Sequence, residues 1–260
     1  MKRLIYQVYV GPRVKLYDFC TESAKYYCDQ IGADHKIQKV PLLYIKPDPF
    51  TTGRSKEAVS RLGYLPIFEK ENAFSWFSEY DQILILDSDV YVKPDAPNIF
   101  DALDPNVDFA GVVEREMPIT KQYKDKIINY SAMQYSTLTD VDFDKNDLGY
   151  EFYNMGLMLM NKSIKQHMFG LSPREFIKQP EFKRFVDGQG PWKWSTDQTL
   201  LNYWLKKQSV NQQHLDWKWN ALYSGVEDKY LKDAHFIHFF LKDKLKNKGN
   251  DVEQLVASFE

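Results

Sequence analysis

Asp87 and Asp89 stand one residue apart at the end of an unbroken apolar run, Ile83 to Leu86, in the stretch "QILILDSDVYV" of residues 82–92. Two carboxylates across a single serine repel each other unless something positive lies between them. Side chains placed this way converge as hard oxygen donors, which suits Mg2+ or Mn2+ and leaves coordination positions for the oxygens of a phosphate-bearing substrate. Asp-Ser-Asp alone is equally a solvated turn, since both residue types are ordinary turn formers. Placement separates the two readings. An apolar run without alternation is that of a strand covered on both faces, and in open α/β sheets ligands bind beyond the carboxyl ends of such strands.

Other candidates lie downstream. His238, in "AHFIHFF", offers a neutral imidazole of the kind that joins two carboxylates around Mn2+, with His235 its competitor on residue type. In "EFYNMGLMLMN", Asn154 has both a donor and an acceptor to offer a ligand, and Gly156 permits close approach; a bulge with an internally satisfied amide explains the pair as well. Ser195, Thr196, Asp197 and Gln198 open a helix, where capping and the helix dipole alone account for a hydroxyl followed by an acid. The loop "DVDFDKNDLGYE", residues 140–151, carries oxygens at calcium-loop spacing. Lys145 occupies the position where that loop needs glycine, so it reads as an acidic surface loop.

These residues need a scaffold, and the hydrophobic pattern supplies one. Residues 3–10 read as a strand, and the apolar spacing of Leu16, Phe19, Cys20, Tyr27, Cys28 and Ile31 as a helix. A second strand is expected over 36–45, with Pro41 at an edge or bulge, then helix over 57–79, broken near Gly63 and Pro66. Strands are expected next at 83–86, 107–113 and 152–161, helices at 173–187 and 196–207, short strands at 210–215 and 235–240, and a terminal helix in "DVEQLVASFE". The order β-α-β-α-β, then a more irregular mixed half, argues for an open α/β sheet with helices on both faces.

Composition bounds the function. The 260 residues, 43% of them hydrophobic, are enough for one domain with a large core. A net charge of −2 leaves no basic field to hold nucleic acid or an anionic membrane, and no apolar stretch is long enough to span a bilayer. Cys20 and Cys28, eight residues apart on one helix, lie about 12 Å apart by helical rise, too far for a disulfide. Two core thiols and no leader-like N-terminus lead to the expectation of a cytoplasmic protein.

Four segments in order, "YDQILILDSDVYV", "EFYNMGLMLMNKS", "WSTDQTLLNYWL" and "HFIHFFLKDK", resemble signature segments of the GT-A fold glycosyltransferases. The likeness is closest to the glycosyltransferase family 8-like group that includes glycogenin and bacterial galactosyltransferases, and it spans residues 80–244. The resemblance implies a GT-A type open mixed, mainly parallel sheet, the nucleotide-diphospho-sugar transferase fold. It implies a single domain over 1–245, with a nucleotide-binding half (1–113) and an acceptor half (114–245), and a tail over 246–260. It also implies a UDP-sugar donor, Mn2+ or Mg2+, a carbohydrate or glycoconjugate acceptor, and transfer with retention.

On this pattern Asp87, Asp89 and His238 are the metal ligands. Asp197, Gln198 and Asn154 lie at the reaction centre, while Lys70, Ser88, Gly156 and Lys244 face the donor. Tyr9, Val10, Gly11 and Tyr17, in "YVGPRVKLY", fall where the family seats the base. Arg54, Trp192 and Trp194 are candidates to face sugars, because flat groups cover the apolar faces of pyranoses. The chain departs from the pattern at Leu241, where the family has glycine, and after Lys244, where Leu245 replaces Pro-Trp; Lys242 therefore competes with Lys244.

Two other functions share the signature. In phosphatases of the haloacid dehalogenase type a strand ends in Asp-x-Asp-x-(Thr/Val), and "DSDV" fits. That chemistry also asks for a later acidic strand end of Gly-Asp-x-x-x-Asp type, which the sequence lacks, and two βα units precede the motif here. A binding-only relative of the glycosyltransferases is the second alternative.

Overall fold

The computed structural model describes residues 1–56 and 63–259. Its main sheet is built from β1 (Arg3–Val8), β2 (Asp34–Gln38), β3 (Gln82–Leu86), β5 (Phe109–Val113), β8 (Tyr153–Asn161) and β9 (Gln212–His214), in spatial order β2-β1-β3-β8-β5-β9. The pairings β1/β2, β1/β3 and β5/β9 are parallel, whereas β8 runs antiparallel to both neighbours. Every residue of β3 is buried, as its unalternating apolar run requires of a strand flanked on both sides and covered on both faces.

Three longer helices cover the sheet: α1 (Lys15–Ile31), α2 (Lys121–Tyr135) and α3 (Asp197–Lys207). The buried stripe of α1 is Leu16, Cys20, Ala24, Tyr27 and Cys28, and both cysteines are free. The helix stops at Gly32, whose left-handed backbone (φ 68°) returns its N–H to the Cys28 carbonyl. Among the described residues, no helix is long and apolar enough to cross a membrane.

A second, three-stranded sheet matters more for function than its size suggests. It consists of β4 (Val90–Val92), β10 (Ala221–Leu222) and β11 (Phe236–His238), in the order β10-β11-β4. The chain leaves β3, turns through Asp87–Asp89 and enters β4, which pairs antiparallel with β11 so that His238 lies opposite Val90. A short hairpin, β6 (Lys145–Asn146) with β7 (Gly149–Tyr150), stands apart from both sheets. Beyond β11 the helix Val252–Ala257 packs back through buried Val252 and Val256, and Phe259 lies near the Tyr223 and Phe239 rings.

Three elements differ from the sequence expectation. The second strand ends at Gln38 instead of running to residue 45. The backbone N–H groups of Leu42, Leu43 and Tyr44 go instead to the buried Glu69 carboxylate, at 2.7, 3.0 and 2.8 Å, which accounts for donors that a sheet neighbour would otherwise meet. In the expected helix over 57–79, residues 57–62 lie outside the described residues. The remainder folds as two 3-10 segments, Pro66–Phe68 and Lys70–Ser78. The helix expected over 173–187 breaks at Pro180 into Pro173–Ile177, Pro180–Phe182 and Lys183–Val186, because proline has no N–H for the ladder.

Candidate active site

The Asp87–Asp89 turn is held on three sides. The Asp87 N–H donates to the Gly156 carbonyl of β8 (2.8 Å), the Ser88 hydroxyl to the Val8 carbonyl at the end of β1 (2.6 Å), and the Phe239 N–H to the Asp89 carbonyl (2.9 Å). The main sheet thus fixes one side of the turn, and the small sheet delivers His238 to the other. His238 Nε2 lies 3.3 Å from Asp89 Oδ1 and 3.9 Å from Asp87 Oδ2.

One ligand atom from each of the three residues falls within 4.8 Å of the others. Around a Mg2+-sized ion with ligands near 2.1 Å, adjacent ligands sit about 3 Å apart, so the set is compact enough for one cation. The imidazole favours Mn2+ over Mg2+. Burial works against ionisation of both Asp89 and His238, yet their mutual attraction prevails: the Asp89 carboxyl is held below its usual range and the His238 imidazole is pushed up.

Gly156 has a steric reason. A Cβ there would stand 2.2 Å from His238 Cε1 and 2.6 Å from Nδ1, so β8 carries no side chain where the imidazole lies. The close approach expected at this glycine is that of the histidine ring.

Lys70 sits behind the turn. Its ammonium lies 2.8 Å from Asp87 Oδ1, 2.7 Å from Asp197 Oδ2 and 2.9 Å from the Met155 carbonyl. Burial pulls the amine down, but Asp197 and then Asp87 outweigh it, so it stays charged. The Asp197 carboxyl is pushed up by its own burial, with Lys70 opposing. Thr196 is the N-cap of α3, its side chain accepting from the Gln198 N–H, so helix capping explains Thr196 and leaves Asp197 to meet Lys70. Gln198 Oε1 accepts from the Met155 N–H at 3.2 Å, tying α3 to β8.

The sugar-facing candidate Asn154 is internally wired. Its Nδ2 donates to Glu114 Oε2 (2.9 Å), and its Oδ1 accepts from the Gly156 N–H (3.0 Å) and Asn220 Nδ2 (2.9 Å). The Tyr123 hydroxyl donates to the other Glu114 oxygen. Burial pushes the Glu114 carboxyl up, and these two hydrogen bonds partly offset it. Sequence reasoning missed Glu114 and Tyr123. The signal was present: "FAGVVERE" is another apolar strand that ends on an acid, the pattern that singled out Asp87.

These groups share one cavity of about 750 Å3. Val8, Val10 and Tyr17 line it from the β1–α1 connection. Lys70, Asp87, Ser88, Asp89 and His238 are among its charged and polar lining, and Glu114, Tyr123, Lys126, Tyr130, Asn154, Gly156, Asp197 and Gln198 also stand on the wall. Leu241 lines it too, with a left-handed backbone (φ 59°), the conformation glycine adopts without strain.

Several expected residues lie elsewhere. Tyr9 is not on the cavity wall; its hydroxyl bonds to the Val14 backbone and its ring packs edge-on against Tyr17 at 5.5 Å. Gly11 is exposed and Lys244 is exposed, both off the wall, while Lys242 Nζ stands 5.5 Å over the Tyr17 ring. His235 packs against Trp219 at a tilt of 51°, ring centroids 4.7 Å apart, and is not one of the three clustered residues. Arg54 donates to the carbonyls of Val186, Phe185 and Ser195 at 2.7–3.0 Å, so its guanidinium pins loops. Trp192 is a core residue bonded to the Gln134 carbonyl, whereas Trp194 is exposed. In the 140–151 loop, Asp144 and Glu151 bind Arg115, and β6 and β7 form their hairpin.

No protein-family model matches the sequence, and the search of curated proteins gave no match. Solved structures do match. A glycosyltransferase involved in glycosylation of the major capsid of PBCV-1 superposes with a TM-score of 0.55 at 15% identity, covering 98% of this chain and 100% of that one. The galactosyltransferase LgtC, in complex with donor and acceptor sugar analogs, gives 0.51 at 12% identity over 91% and 87% of the chains. Mouse xyloside xylosyltransferase 1 gives 0.50 at 13% identity over 95% and 100%. With a mixed, mainly parallel sheet and a superposition over nearly its whole length, the chain has the GT-A fold of these glycosyltransferases.

Proposed function

We propose that the protein is a metal-dependent glycosyltransferase, moving a sugar from a nucleotide-sugar donor, UDP-linked, to a hydroxyl of a carbohydrate or glycoconjugate acceptor. One observation carries this reading: Asp87, Asp89 and His238, drawn from two sheets, meet at the wall of a large cavity on a GT-A scaffold. A divalent cation held there supplies positive charge beside the donor diphosphate.

The chain's own residues do the rest. Lys70 adds a fixed positive charge at the same spot and orients Asp87 against Asp197. Val10 and Tyr17 give the nucleobase an apolar seat, and Asp197 and Gln198 face the sugar. In the transfer, the bond from the anomeric carbon to phosphate oxygen breaks, and the bond to the acceptor oxygen forms on the same face, which is retention. The acceptor's proton passes to the departing phosphate oxygen, so no separate base is required. The buried Glu114, with Tyr123 and Asn154, fixes the wall where the acceptor enters.

A panel of nucleotide sugars, read by thermal shift with and without Mn2+, tests this directly. One donor should stabilise the protein only with the metal, by about 2.7 kcal/mol at a hundredfold excess over its dissociation constant. Cleavage of p-nitrophenyl phosphate, with no donor recognised, would hand the site to the phosphatase reading.

A further inference from the structure

A second cleft, of about 430 Å3, contains none of the residues assigned above. Asp140, Glu181, Lys183, Arg184, Gln189 and Tyr203 line it. Arg184 is its distinctive feature. The guanidinium lies about 5 Å from the centroids of three rings, those of Phe185, Trp192 and Tyr203. Stacking fixes its direction but meets none of its five N–H donors. Its Nε is buried without a partner, and Nη2 stands 3.7 Å from Asp140 Oδ1, beyond hydrogen-bond reach. Asp140 is itself engaged by the Tyr203 hydroxyl (2.6 Å) and Lys207 (3.0 Å).

Glu181 is the complementary group: among the described residues its carboxylate takes no hydrogen bond or ion pair. Lys183, by contrast, is committed to Asp187 and Asp48. Among the described residues the open donors on the wall are therefore the Nη groups of Arg184, since its Nε is buried and Gln189 Nε2 already stands 3.5 Å from Asp187 Oδ2; Glu181 is the open acceptor, and the formal charges cancel, two acids against two bases. A phosphate or a free cation would leave half of these groups unmet. A neutral ligand with several hydroxyls meets both kinds.

The chain itself connects the two sites. Gln189 lines the second cleft and Thr196 lines the main cavity. Between them in the sequence, Trp194 is 64% exposed, a flat indole of the kind that covers the apolar face of a pyranose, with Lys193 Nζ 5.2 Å from its ring centroid.

We propose that the second cleft is a saccharide subsite, in which Arg184 donates to, and Glu181 accepts from, the hydroxyls of a neutral oligosaccharide that runs past Trp194 toward the main cavity. The choice of a saccharide rests on the transferase reading. The test applies the full chain to a printed panel of neutral gluco-, galacto- and manno-tetrasaccharides beside uronate oligosaccharides, using wild type, Glu181→Ala, Trp194→Ala and Asp89→Ala. Neutral glycans should bind wild type and Asp89→Ala alike, and at least tenfold more weakly to Glu181→Ala and Trp194→Ala, whose melting temperatures should match wild type. Arg184→Gln, which disturbs ring packing, serves only as a supporting variant.

No binding by wild type, binding to uronates alone, or binding lost in Asp89→Ala and kept in Glu181→Ala would overturn the subsite. Thermal shift with nucleotide sugars on the same preparations separates the two claims. Donor stabilisation without glycan binding removes the subsite and leaves the transferase. Glu181-dependent glycan binding without donor stabilisation does the reverse.

Discussion

Two clusters in this molecule have the same composition, a histidine and two acids, and in both the donor atoms lie within 4.8 Å of one another. Asp87, Asp89 and His238 meet at the cavity wall. Glu116, Glu151 and His214 meet at the surface, near the end of β5. What differs is what already binds them. Both oxygens of Glu151 are taken, by Lys206 at 3.2 Å and Arg115 at 3.1 Å, and His214 Nδ1 is occupied by Glu116 at 3.1 Å. In the cavity cluster the built-in cation, Lys70, reaches only one oxygen of Asp87, while Asp89 and the second oxygen face His238. The two clusters therefore differ in how many of their carboxylate oxygens are already committed to lysine and arginine, a difference that composition alone does not reveal.

The largest effect that would break this contrast is at Asp89. Asp89→Ala should lower metal-dependent donor turnover by more than about 100-fold, beyond the loss typical of an outer partner of a metal site, with the far-UV spectrum unchanged. Steady-state assays at saturating Mn2+ measure it, and unchanged turnover would remove Asp89 from the site.

Lys70→Met comes next. It leaves Asp87 and Asp197 near each other without their shared cation, and removing one partner of such a buried set costs roughly 3–5 kcal/mol. For a chain of this size that is on the order of 10 °C in melting temperature. Mn2+ should restore part of the loss by supplying charge beside Asp87; a deficit that Mn2+ does not touch would mean that the cation binds elsewhere.

Gly156→Ala places a methyl group against the His238 ring. Overpacking of this kind costs about 1–3 kcal/mol, and a displacement of about 1 Å in a reacting site can cost about 100-fold in rate. Calorimetry and kinetics on the same variant should show both effects, the kinetic one with reduced Mn2+ affinity. The smallest effect sharpens the comparison from the other side. His214→Ala should leave turnover and Mn2+ affinity within about twofold and stability within about 0.5 kcal/mol, the usual range for a surface substitution. A large loss of Mn2+ binding there would reverse the roles of the two clusters.

The site was legible where a local pattern carried it. An apolar strand ending on acids located Asp87 and Asp89, and the strand stayed central because its run has no polar face. The four ordered segments brought in Asn154, Gly156, Asp197 and His238, all of which line the same cavity. What stayed hidden depends on tertiary contacts. Nothing local indicates that Glu69 gathers the backbone of residues 42–44, that Arg54 serves three carbonyls, or that Lys70 bridges two acids more than a hundred residues apart. Glu114 ends its strand as Asp87 does, but a single acid after an apolar run is common, and only its contacts with Tyr123 and Asn154 set it apart.

The most direct measurement is an anomalous difference map at the manganese edge, from crystals soaked with Mn2+ and UDP. A single strong peak among Asp87, Asp89 and His238, in contact with the diphosphate oxygens, is the predicted result. A peak at Glu116, Glu151 and His214, or nucleotide bound with no peak beside Asp89, would contradict the account.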